Sequence, residues 1–533
     1  MLMRPWSAFL SKAGQHLILF LFCAFLFCRP LAAQRRHVQQ RTAAGILEGE
    51  VSADGKVRTF KGVPFAAPPV GPLRWKPPQP VAPWSGVRKA TEFSPRCMQT
   101  RVFADMNFRD PGPSEDCLYL NLWMPEVHSQ APLPVMVWIF GGGFVAGSTS
   151  EPRQDAGKLS KKGVLVVTMN YRLGIFGFFS HPELTRESGH DASGNYGLLD
   201  QLAALKWVRD NIAAFGGDQD NITIFGESAG SLSVSALMAS PLSQGLFRHA
   251  IGESGAFFNN TLRLKPRAET EKASMEFAKS ALGTDSLATL RAKPADEILQ
   301  AASKEGAFRF SPNIDGYFLP ESVEGIFAAG KQSHVPLLAG WNADEGNYRM
   351  IFGKETPSPE RFTAQIHSLY GANAETILKL YPAPTVAQAR RSAQDLAGDR
   401  FIAFATWKWM ELHLKTGEAP VFRYRFDETL PVAAASAQSP ESEPTAPHAS
   451  EIEFVFEALS SKDLPWRPED HKLSDLMSSY WTNFARTGDP NAEGLPHWPA
   501  YKPDGYEVMH LSVDPRAAPD ANRPRYEFLD QIH

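Results

Sequence analysis

Five continuous apolar runs, each bounded by turn residues, constrain this chain more than any other feature. They are "PVMVWIF" (Pro134–Phe140), "GVLVVTMNY" (Gly163–Tyr171), "NITIFG" (Asn221–Gly226), "VPLLAGW" (Val335–Trp341) and "VFRYRF" (Val421–Phe426). Such runs read as strands of a sheet covered on both faces, the usual setting of parallel strands. Between the second and third lies "GLLDQLAALKWVRDNIAAFGGD". There Leu198, Leu202, Leu205, Val208 and Ile212 share one helical face, and Gly216-Gly217 ends the helix. Strand, helix, strand predicts a βαβ unit with a right-handed crossover, so the class is α/β.

The stretch from about Ala268 to Leu380 is richer in helix formers and charge, and reads as helical insertions over the sheet. "PVAAASAQSPESEPTAP", from Pro431 to Pro447, is of low complexity and predicts a mobile surface loop. With 42 prolines and 40 glycines, turns and long loops should join the core elements. No internal repeat or clear linker divides the chain, which favours one large domain.

The N-terminus reads as an export signal. Arg4 and Lys12 precede the twelve apolar residues Leu17–Cys28, and "RPLAAQ" offers a cleavage point after Ala33. Twelve residues suit a signal core and are short for a bilayer span; an uncleaved anchor is the competing reading. Residues 1–33 are thus expected to be removed, leaving 34–533 as a single secreted or periplasmic domain that no longer engages the membrane. Cys23 and Cys28 leave with the signal. Cys97 and Cys117 remain, an even pair in an oxidising compartment. A bridge between them would contribute roughly 3 kcal/mol in the chain-entropy model; two buried thiols are the alternative. No Cys-x-x-Cys or His-Glu-x-x-His spacing occurs, so neither a metal nor another cofactor is expected. A net charge of -4 without a Lys/Arg cluster argues against nucleic acid as a partner.

The third apolar run ends in Gly226-Glu227-Ser228-Ala229-Gly230, followed by the small-residue segment "SLSVSALMAS". Gly-x-Ser-x-Gly between a strand and a helix is the nucleophile elbow, a turn so tight that only glycine fits beside the serine; an ordinary Gly-Ser-Gly turn is the bland reading. Ser228 would then be an exposed nucleophile. The first run ends in Gly141-Gly142-Gly143, a costly use of glycine for a plain turn. Backbone N–H groups of Gly142, Gly143 and Ala229 are the candidate donors to an oxyanion.

In matching order from about Gly45 to the end, the chain resembles type-B carboxylesterases, the family that includes para-nitrobenzyl esterases and cholinesterases. The segments that carry the likeness include "FKGVPFAAPPVGPLRWKPPQP", "SEDCLYLNLWMP", "NYRLGIFGFF", "FGESAG", "LLAGWNADEG" and "WTNFARTGDPN". The resemblance implies an α/β-hydrolase fold, with a mostly parallel sheet, helices on both faces and helical or loop insertions. It implies the triad order serine, acid, histidine, which falls on Ser228, Glu345 and His448. It further implies supporting roles for Glu227 and for Ser254, whose hydroxyl would bond the triad acid, and a Cys97–Cys117 disulfide. Taken from residues alone, Glu345 would pass for a solvated carboxylate. His448 is one of seven histidines that follow it.

The expected activity is cofactor-free hydrolysis of small to medium carboxylic esters through an acyl-enzyme. A non-catalytic binding protein on the same fold, and an amidase or lactonase with the same triad, are the rivals. The loop between the two cysteines carries Phe103 and Phe108 but no tryptophan, which argues against a choline ester as substrate. Phe140, before the glycines, is expected to tune packing only.

Overall fold

The computed structural model describes residues 36–532, apart from 127–130, 259–261, 305, 307–308, 433–444 and 503. The expected signal (1–33) and most of the low-complexity stretch lie outside the described residues.

Among the described residues, one sheet of 13 strands organises the molecule. Its strands are β1 (His37–Arg41), β2 (Ile46–Val51), β3 (Val57–Pro64), β4 (Val87–Lys89), β5 (Tyr119–Pro125), β6 (Leu133–Ile139) and β7 (Leu165–Met169), followed by β8 (Gly217–Glu227), β9 (His249–Glu253), β10 (Leu337–Asn342), β11 (Val421–Phe426), β12 (Glu507–Leu511) and β13 (Arg516–Pro519). Their spatial order is β1-β2-β3-β5-β7-β6-β8-β9-β10-β11-β12-β13, with β4 against β2. Neighbours from β7 to β12 are parallel, whereas β1, β2, β3, β5 and β7 pair antiparallel.

All five apolar runs form strands of the parallel part. Val135 to Ile139, Leu165 to Val167 and Ile224 to Phe225 are fully buried, and a strand side chain so removed from water contributes roughly 1.5–3 kcal/mol. The helix between β7 and β8 is α1 (Tyr196–Asn211), and Gly216, at φ 89°, turns the chain after its last 3-10 turn. All five residues of its expected apolar face are buried. The two strands it joins are not neighbours, because β6 lies between them and pairs parallel with both. Strand identity is local, whereas the choice of neighbour is made by non-local pairing. Among the antiparallel strands, β1 "HVQQR" is polar and carries no comparable apolar run, whereas β5 is largely apolar and buried.

Helices cover the sheet. Those used below are α2 (Ala229–Ala239), α3 (Arg267–Leu282), α4 (Val386–Gly398), α5 (Phe404–Thr416) and α6 (Pro468–Thr487). Every residue of α2 is buried. Its serines stay satisfied inside: Ser233 and Ser235 hydroxyls donate to the Ala229 and Leu232 carbonyls at 2.9 and 2.7 Å. Among the described residues no helix is long and apolar enough to cross a membrane. Cys97 and Cys117 are joined by a disulfide. At the low-complexity stretch the flanks meet, with Leu430 N–H donating to the Thr445 carbonyl at 2.9 Å.

Candidate active site

Three side chains converge at the carboxyl ends of parallel strands. Ser228 follows β8 directly, Glu345 lies three residues past β10, and His448 is on the connection after β11. At Ser228 the backbone takes φ 55° and ψ -120°, outside the regions open to most L-residues. Its N–H donates to the Glu253 carbonyl on β9 at 2.8 Å, and its carbonyl accepts from Leu232 N–H at 2.9 Å, which hold that conformation. The flanking glycines are required by contact. A Cβ on Gly226 would lie 2.6 Å from the Ile139 carbonyl oxygen, and one on Gly230 would collide with the same oxygen.

His448 Nε2 lies 2.9 Å from Ser228 Oγ, and its Nδ1 lies 2.6 Å from Glu345 Oε2. Glu345 Oε1 accepts from Ser254 Oγ at 2.6 Å and from Asn342 N–H at 2.7 Å. Glu345 is therefore buried and fully engaged, not the solvated carboxylate its local sequence suggests. The path into His448 is fastened by β10 and its following turn. Asp344 N–H donates to the Ala446 carbonyl at 3.0 Å, Ala446 N–H donates to Asp344 Oδ2 at 2.9 Å, and Asn342 Nδ2 donates to the Pro447 carbonyl at 2.8 Å. Phe401, in a π-helical turn (Asp399–Ala403) between α4 and α5, sets its ring edge-on to the imidazole at 5.2 Å between centroids.

Beneath these groups lies a set of buried carboxylates. Glu227 Oε1 lies 3.2 Å from His448 Nε2. Glu253 accepts from Trp481 Nε1 of α6 at 2.8 Å. Glu451 accepts from Asn342 Nδ2 at 2.6 Å and from Ser254 Oγ at 3.3 Å. Burial raises the pKa of Glu227, Glu253 and Glu451 above the ordinary carboxylate range. Burial works against charge on His448, but the carboxylates of Glu227, Glu345 and Glu451 outweigh it and raise the imidazole above its ordinary value. The charge states of His448 and its acidic neighbours are therefore linked.

Gly142 and Gly143 face Ser228 across a cavity of about 1140 Å³. A Cβ on Gly142, at φ 103°, would collide with the Ala146 carbonyl, so glycine is required there. Ala229 N–H stands at the first position of α2. Among the described residues none of these three N–H groups donates to a protein acceptor. Phe140 stacks on Tyr171 at 4.5 Å, and Tyr171 Oη donates to the Phe140 carbonyl at 2.7 Å, which fixes the approach to the glycines. The cavity wall includes Phe103, Met106, Phe178, Leu232, Phe310 and Phe401. Phe108 instead lies against the Arg96 guanidinium at 4.7 Å. Among the described residues no group of three or more His, Cys, Asp or Glu side chains is arranged to hold a metal ion.

The structure thus brings together Ser228, His448, Glu345, Glu227 and Ser254, with Gly142, Gly143 and Ala229 around the serine. Sequence reasoning missed Asn342, Asp344, Glu451 and Phe401. Glu451, three residues past His448, and Asn342, three before Glu345, had only that proximity as a signal.

The family model described as "Carboxylesterase family" matches residues 34–529. The chain is 36% identical to the fumonisin B1 esterase of Sphingopyxis macrogoltabida, over 95% of this chain and 92% of that protein. It is 39% identical to the para-nitrobenzyl esterase of Bacillus subtilis, over 87% and 93%. A solved PNB esterase superposes with a TM-score of 0.79 at 35% identity, covering 92% of this chain and 99% of that one.

Proposed function

The chain belongs to the carboxylesterase family, and from this premise we propose that Ser228, His448 and Glu345 are the catalytic triad of a serine carboxylic-ester hydrolase. The observation that carries the proposal is the unbroken line of contacts from Ser228 Oγ through both imidazole nitrogens to Glu345, at 2.9 and 2.6 Å. His448 Nε2 takes the hydroxyl proton as Ser228 Oγ attacks the ester carbonyl carbon. Glu345 holds Nδ1–H and stabilises the imidazolium. The oxyanion is received by the N–H groups of Gly142, Gly143 and Ala229. Collapse breaks the bond to the alcohol oxygen, which leaves with the proton from His448. Water, deprotonated in turn by His448, attacks the acyl-enzyme, releases the carboxylic acid and restores Ser228.

Residues 34–533 act as one catalytic domain, exported to the periplasm or exterior after loss of residues 1–33, and small to medium carboxylic esters are the substrates. Ser228→Ala tests the assignment. On p-nitrophenyl butyrate, kcat should fall by about 10⁴-fold or more, to the residual left by binding and the oxyanion donors. Near-normal turnover by that variant would remove Ser228 from the mechanism. An N-terminal sequence beginning near Gln34 in the exported protein checks the cleavage.

A further inference from the structure

The cavity lining is charged, and cations outnumber carboxylates in it. Arg153, Arg263, Lys265 and Arg309 line the cavity against the carboxylates of Asp105 and Glu227, although the whole chain carries a net charge of -4. Arg153 is not part of that excess. It is buried and paired with Glu151 at 2.6 Å and with Asp105 at 3.7 Å, so that section of wall is nearly neutral. The other three cations are exposed.

They come from two segments that the fold joins. Lys265–Pro266 pairs in parallel with Asn313–Ile314, which sets the backbone around Lys265 beside the one that carries Arg309. Arg309 donates to the Ala273 carbonyl of α3 at 3.1 Å and lies over the Phe277 ring at 5.5 Å, contacts that direct its long side chain. Lys265 meets Glu269 at 2.7 Å, but both side chains are more than half exposed, and such a pair yields readily to a better anion. Below the mouth the wall is apolar, with Phe178, Leu232 and Phe310. A volume of about 1140 Å³ exceeds the roughly 300–1,000 Å³ typical of ligand pockets. It leaves room for more than a short neutral acyl chain.

Resting on the serine-esterase reading, we propose that the preferred substrates are carboxylic esters bearing a second, ionised carboxyl group. Arg263, Lys265 and Arg309 receive that carboxylate at the mouth while the apolar body of the ester lies below and its carbonyl reaches Ser228. Charge at the entrance also raises the local concentration of anionic ester, an effect that salt removes.

The test compares p-nitrophenyl hydrogen glutarate with p-nitrophenyl pentanoate, each with five acyl carbons and different in terminal charge. The readout is the ratio of their kcat/KM values on one preparation, so a partly unfolded sample cancels. For the wild type at low ionic strength, this ratio should fall by on the order of tenfold on addition of about 0.5 M NaCl. It should fall to a similar degree in the variant Arg263→Gln, Lys265→Gln, Arg309→Gln, and there salt should move it little. A ratio that salt does not move overturns the proposal. So does one that salt moves equally in the variant, because the charge would then reside elsewhere. If neither ester is cleaved faster by the wild type than by Ser228→Ala, the underlying esterase reading has failed instead.

Discussion

Ser228 occupies a backbone conformation that costs a residue with a side chain on the order of 1–3 kcal/mol, and the Glu253 and Leu232 contacts offset it. What the strain secures is a hydroxyl clear of its own helix and within reach of His448. The imidazole must be neutral to accept the hydroxyl proton, and its acidic surroundings raise its pKa above the ordinary 6.5. A base with a raised pKa is silenced below that value, so kcat/KM should climb with pH along a limb centred above 6.5. Glu227 is one source of that rise. Glu227→Gln should therefore move the limb to lower pH, and pH–rate profiles of the two proteins check it; an unmoved or alkaline-shifted limb would contradict the account. At this scale legibility followed local chemistry. Ser228 announced itself because the elbow demands glycine at fixed offsets. His448 did not, because a general base needs only a place in space, and the resemblance had to supply it. Asn342 and Glu451 were silent for the same reason.

The elements hold the site by contact between backbones. α2 approaches β6 so closely at Gly230 that no side chain fits between them. Gly230→Ala should cost about 1–3 kcal/mol by overpacking and lower kcat, since any shift of α2 moves Ala229 N–H away from the developing oxyanion. A lower denaturant midpoint together with lost activity checks this; an unchanged midpoint would show that the helix yields freely. The π-helical turn acts in the same way from the other side, placing Phe401 against His448, and π turns recur where a helix must present a side chain to a site. Five of the seven strands of the parallel part were legible as apolar runs and α1 as a helical face, whereas the short β9 and β12 were not. Their spatial order was not, because β6 enters between β7 and β8 through pairings that no local pattern encodes. The polar strand β1 was equally hidden, since an antiparallel edge needs no continuous apolar stretch.

For the molecule as a whole, the Cys97–Cys117 bridge closes a loop that contributes Phe103 and Met106 to the cavity wall. The proposed triad, by contrast, is anchored to the sheet, with Ser228 directly after β8 and Glu345 just past β10. Reduction, or Cys97→Ser with Cys117→Ser, should lower stability by roughly 3 kcal/mol and raise KM more than it lowers kcat. Loss of kcat with an unchanged denaturant midpoint would contradict this. The cationic mouth could not be read from the chain, because Arg263, Lys265 and Arg309 form no run and meet only when two distant segments pair. The hydrogen bond from Leu430 to Thr445 has a use of another kind. It joins two described residues that flank the low-complexity stretch, while Ala446 and Pro447 are tied down separately by Asp344 and Asn342. Because the fastening of His448 does not pass through that clasp, it is a ready port for splicing in a guest peptide or fixing the protein to a support.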